Sequence, residues 1–221
     1  MFTRPAVYYL PLLTTVVSVL FASVIFRRYR EKGGGTHLLW WGGGILIYGM
    51  GTFAESWITL LGLDPVIFRF WYIVGALMGG APLATGTVWL MLKPRSARRI
   101  TAAAATAMSV SALFVIMSPV DLSILDSHLP SGKAFGWQWV RYFSPFINTY
   151  AVIFLIGGAI LSAWRFRKEA IREGDPVPAG RAKDRFIGNA CIAGGAILPG
   201  IGGASSRAGH TEVLYVTELV G

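Results

Sequence analysis

PAVYYLPLLTTVVSVLFASVIF (residues 5–26) is followed at once by RRYREK (27–32). The apolar stretch is close to the roughly 20 residues a helix needs to cross a hydrocarbon core. Arg27, Arg28, Arg30 and Lys32 behind it mark a cytoplasmic end. A secretory signal has a shorter apolar region and a small-residue cleavage site, so the stretch is read as a retained helix whose N-terminus lies outside.

The same unit recurs along the 221 residues, with apolar runs over 38–61, 66–92, 100–120, 145–164 and 186–206 and a partial run over 212–221. A hydrophobic content of 54%, a charged content of 14% and a mean hydropathy of +0.56 agree with a membrane class. The sequence therefore predicts an all-α fold: a polytopic transmembrane helix bundle of six to seven spans, forming a single bundle over 1–221. The last run is too short to cross, and is read as an incomplete seventh helix.

Charge sets the orientation. Outside the loops that follow the first, third and fifth runs, the only basic residues are Arg4, Arg69, Lys133, Arg141 and Arg207. Those three loops carry a net charge of +10 and the remainder of the chain −1, the positive-inside pattern. Nucleic-acid binding needs a basic face on a folded surface, and is excluded as the source of this charge. Membrane lipids, through anionic headgroups, are the expected partners, and the expected location is a bacterial cytoplasmic (inner) membrane. Tyr8, Tyr9, Trp40, Trp41, Trp57, Trp71, Tyr72, Trp89 and Trp164 stand near the ends of the runs, as interfacial aromatics do. On the outer side the long loop over 119–143 carries Trp137 and Trp139 and is expected to pack across the bundle mouth. On the inner side GDPVPAG (174–180) reads as a linker.

Charges inside apolar runs are costly in hydrocarbon and face a partner or a wet cavity. Glu55 lies six residues before the end of its run, about 9 Å below the outer edge at 1.5 Å per residue. Arg69 enters the next run from the same side, so an ion pair between the two is expected. Glu212 and Glu218 enter the last segment from outside, and only one of them can face the bundle centre. By depth, Glu55, Arg69, Asn148 and Glu218 form the candidate polar site.

Other chemistry finds less support. Lys32, Lys93, Lys133, Lys168 and Lys183 all fall in loops, which disfavours a retinal Schiff base unless a further C-terminal portion supplies the lysine. His37, His128 and His210 lie at run ends or in loops, which disfavours haem held by two axial histidines. A zinc site from Asp126, His128 and His210 is a weaker reading than solvated loop histidines. The glycine clusters at 33–35, 42–44 and 200–203 lack the Walker form, no HExxH occurs, and the single Cys191 excludes an intramolecular disulfide. No catalytic, cofactor-binding or metal residue is assigned, and no cofactor is specified. Gly75 and Gly79, and the small residues around Gly194, offer faces for close helix packing, within the chain or between copies. Pro82 and Pro199 are expected to kink their helices.

FAESW (53–57), FRFWYIVGAL (68–77), GTVWLML (86–92), RYFSPFINTY (141–150) and GGAILPGIGG (194–203) resemble segments of uncharacterised bacterial seven-helix integral membrane proteins. That resemblance implies that Glu55, Arg69 and Arg141 sit in recurring segments and that a final helix continues past TELVG. It implies no activity. The leading functional expectation is binding or transport of a small polar solute or ion at an outward-facing polar site. The alternatives are an accessory subunit of a larger membrane complex, or the membrane sensor portion of a signalling protein.

Overall fold

The computed structural model describes residues 6–125, 130–172 and 176–221; side chains are described except at 163, 166–186, 189 and 207. Five helical segments are long and apolar enough to cross a membrane: Ala6–Glu31, Thr36–Leu61, Pro65–Met91, Pro94–Met117 and Gln138–Ser162. A shorter apolar helix covers Ala190–Ser206. The first, second and fourth of the long segments contain the regular helices α1 (Leu10–Glu31), α2 (Thr36–Leu61) and, after the broken third, a long helix over Pro94–Met117.

The third segment is not one regular helix. It opens with α3 (Pro65–Trp71), where Asp64 Oδ1 accepts from the Val66 and Ile67 amides at 2.7 and 3.1 Å. It then widens into a π-helical turn over Tyr72–Leu77 and resumes as α4 (Ala81–Met91), with Pro82 in the first turn. The proline lacks an N–H to donate backward, so the expected kink becomes a break over residues 78–80. Ser144 Oγ and Asn148 Nδ2 both donate to the Ala76 carbonyl beside this break, at 2.7 and 3.2 Å. Those two residues stand on α6 (Phe143–Ala151), which follows α5 (Pro94–Met117) and continues through a second π-helical turn into α7 (Gly157–Arg172).

The chain returns in α8 (Pro176–Arg207), which begins inside the stretch read as a linker, because proline is tolerated in a first helical turn. α9 (Thr211–Val220) follows after Gly209, whose φ of +97° makes the reversal. It packs on α8 and against α1, where Tyr8 lies edge-on to Tyr215 at 5.7 Å.

The described part of the loop after α5 is built, not slack. Val120 and Phe135 form an isolated antiparallel bridge, and the Asp121 amide donates to the Ala134 carbonyl at 2.9 Å. Phe135 is buried against Phe68 and Tyr72, with ring centroids 5.0 and 4.8 Å apart. Leu77, Met108, Val115, Val140 and Ile147 complete this core.

Elsewhere the apolar residues turn outward. Leu12, Val16, Leu20 and Val24 recur every four residues along α1 and are all exposed. An apolar face of that length is unfavourable in water and suits a lipid environment, in agreement with an integral membrane protein.

Glycines serve close packing within the chain. A methyl group on Gly51 would lie 3.2 Å from Gly75 Cα, so this part of the Gly75 face is used internally. On Gly44 it would lie 2.8 Å from Leu83 Cγ and 2.9 Å from the Leu83 backbone nitrogen. Gly44→Ala is therefore expected to cost about 1–3 kcal/mol by forcing α2 and α4 apart. Thermal unfolding in detergent checks it, and an unchanged midpoint would contradict this packing.

Candidate functional site

α2 carries Tyr48, Thr52, Glu55 and Thr59 at alternating intervals of four and three residues, which puts them on one face. α9 carries Thr211, Tyr215 and Glu218 with the same periodicity. The two faces meet in antiparallel order. Tyr215 hydrogen-bonds the Thr59 side chain, Glu218 reaches the Glu55 carboxyl, and the Tyr48 hydroxyl donates to the Glu218 backbone carbonyl at 2.8 Å. From α1's side, Thr15 and Thr52 share a hydroxyl hydrogen bond of 2.9 Å.

Glu55 is only 6% exposed. Its Oε1 accepts the indole N–H of Trp71 at 3.1 Å. Its Oε2 and the Oε2 of Glu218 are buried, and neither receives a hydrogen bond from an N–H or hydroxyl donor. The two carboxyl groups nevertheless lie within hydrogen-bonding reach of one another. Carboxylates only accept, so a hydrogen bond between them requires a proton on one. One shared proton also removes the repulsion that two buried carboxylates would suffer.

The ion pair expected between Glu55 and Arg69 does not form. Arg69 donates instead to the Ser118 carbonyl at 2.9 Å and to the Pro65 carbonyl at 3.2 Å. The reason is rotational: at 3.6 residues per turn, positions 69 and 71 point about 200° apart, and it is Trp71 that faces α2. Arg69 thus ties α3 to the start of the loop after α5. Asn148 is exposed and bonds Ser144 Oγ at 3.0 Å and the Ala76 carbonyl, so its contacts are with the broken helix and not with the carboxyl pair. Of the four predicted site residues, Glu55 and Glu218 come together. Glu212 points the other way, is exposed, and accepts from the Tyr8 hydroxyl at 3.2 Å.

A small pocket opens beside Glu55, lined also by Trp71, Ser206, Thr211 and Tyr215 among others; Glu218 is not part of its lining. Thr211 is 4% exposed, and its hydroxyl makes no hydrogen bond. The space open to a water-sized sphere is about 10 Å³, room for roughly one water. Trp71, Thr211 and Tyr215 escaped the sequence-based site because only charge and depth were weighed. The polar periodicity of α2 and α9 was the signal that could have found them.

Among the described residues no three His, Cys, Asp or Glu side chains are grouped as a metal would need. His37 packs edge-on to Trp41 at 5.4 Å, and His210 sits exposed just before α9. Asp126 and His128 of the zinc reading lie outside the described residues. Comparison of the chain with protein-family models, with curated proteins and with solved structures found no match.

Proposed function

We propose that the protein binds a proton or a small monovalent cation at the Glu55–Glu218 pair and passes it across the membrane, entering from the outer side. The observation that carries this reading is the contact between two carboxyls whose Oε2 atoms are buried without a donor, with a pocket beside Glu55 that has room for about one water. Intramembrane acids of this kind mark ion pathways and proton relays. A pocket that small favours an ion over the polar organic solute that the sequence also allowed.

The topology belongs to the same proposal. Ala190–Ser206 serves as a sixth span, with the shorter α9 packed on it, in a bacterial cytoplasmic membrane. The Tyr8–Glu212 contact joins the start of the first span to the start of α9 at one end of the bundle. The basic residues after α1 and at the start of α5 gather at the other, and supply the inner face.

Single cysteines in a Cys191→Ser background test the orientation. Cysteines at Arg30 and Arg98 are expected to resist an impermeant thiol reagent in intact cells, and one at Gly136 to react; the reverse pattern would overturn it. The transport reading is tested in proteoliposomes loaded with a pH-sensitive dye. A proton or sodium gradient is expected to drive a lumenal pH change that Glu55→Gln slows by about 100-fold or more, of the order seen when a proton-transfer group is lost. Equal rates in the variant and the parent would remove Glu55 from the pathway.

A further inference from the structure

The polar atoms left without a donor at this site are all oxygens: Glu55 Oε2, Glu218 Oε2 and Thr211 Oγ1. Glu55 and Thr211 line the same pocket, with Ser206 beside them. The Trp71 indole supplies a nitrogen donor, and it is committed to the other oxygen of Glu55. Hard oxygen ligands without competing donors suit an alkali-type cation better than a transition metal. Two carboxylates also fall short of the three-residue groups that transition metals need, none of which occurs among the described residues.

We propose that this site takes a small, hard monovalent cation and releases one proton as it does so, making binding an electroneutral exchange. The inference rests on the reading of the carboxyl pair as the ion site. With one proton shared between the two carboxyls the site carries a single negative charge. An entering cation needs the same lone pairs that the proton holds, and the pocket of about 10 Å³ beside Glu55 is its approach. The O–H bond of the protonated carboxyl breaks, the proton leaves to solvent, and ionic contacts from both carboxylates form in its place. One carboxylate gives the site a charge of −1 before; two carboxylates and one monovalent cation give −1 after, so the charge is unchanged, and nothing is oxidised or reduced. Loss of the proton alone would leave two like charges buried together, which the low-dielectric interior opposes. A divalent ion would change the net charge of the site, and does not fit an exchange for one proton.

The experiment uses the full chain in detergent at pH 7, weakly buffered, with Na⁺ as the probe and choline chloride as the ionic-strength control. Retention of ²²Na⁺ and the proton release are measured on the same sample. Saturating Na⁺ is expected to release about one proton per protein, and choline none. Glu218→Gln is expected to abolish the release. Glu218→Gln and the parent are expected to share one size-exclusion profile, so that loss of the release reports the site and not the fold. Sodium retained without proton release would overturn the exchange and leave the ion site standing. Proton movement in proteoliposomes with no sodium retained would overturn the cation and leave the proton pathway standing. Absence of both would sink this inference and the proposed function together. Undiminished proton release in Glu218→Gln, with that profile unchanged, would overturn the ligand set.

Discussion

Replacing Glu55 and Glu218 together by glutamine is expected to yield a protein that folds at least as stably as the parent and binds no cation. The amides keep the size of the carboxyls, and an amide N–H of one can donate to the carbonyl of the other. The Trp71 indole N–H, now 3.1 Å from Glu55 Oε1, keeps an acceptor at the same position. What is lost is the buried negative charge. Replacing buried ionic groups by well-packed neutral ones is often neutral or stabilising by about 1–4 kcal/mol, and the two Oε2 atoms without donors are the atoms that profit here. Thermal unfolding in detergent and ²²Na⁺ retention measure the two halves of the prediction. A double variant destabilised by more than about 2 kcal/mol would show that the carboxyl contact holds α9 to α2, a structural pair in which the charge has no further use. Stability retained with binding lost is the signature of a site kept for function at a cost to the fold.

The features legible in the sequence were those that follow from local pattern. Apolar runs bounded by basic loops located the five long helices, and the runs over 38–61 and 66–92 coincide within two residues with Thr36–Leu61 and Pro65–Met91. Glu55 and Glu218 were also legible in kind, as acids inside apolar runs. That the two meet was not. Whether α9 returns beside α1 and α2 is a question of helix order, and neither hydropathy nor charge encodes the lateral position of a helix in a bundle. The choice between Arg69 and Trp71 had the same character: both are one turn or so into the third span, and a rotation of about 200° separates them. Charge made Arg69 the natural expectation, and packing gave the place to the indole. The polar stripes Tyr48–Thr52–Glu55–Thr59 and Thr211–Tyr215–Glu218 were visible as spacing. Their meaning emerges only when the two faces are seen to be antiparallel and in register.

Phe135→Ala is expected to be the most destabilising single change around the loop after α5, at about 3–5 kcal/mol, the range for removing a buried phenylalanine ring. Phe135 is 1% exposed although it belongs to a loop, and it fills the space between Phe68 and Tyr72 where the third span passes from α3 into its π-helical turn. Two further anchors fix the loop around it. The Gly136 amide donates to the Pro119 carbonyl at 2.8 Å, and Arg69 holds the Ser118 carbonyl from the helix beneath. Loss of the ring would leave a cavity that the bridge between Val120 and Phe135 prevents from closing. The consequence reaches the carboxyl pair through Trp71, which lies between Phe68, at 6.1 Å, and Tyr72, at 6.2 Å, and donates to Glu55. Thermal unfolding should therefore report a large loss of stability, and Na⁺ retention a smaller loss of affinity, in the same variant. A protein that tolerates Phe135→Ala with less than about 1 kcal/mol lost would show that the loop is a loose cover, and that the position of Trp71 is set from below by α2 alone.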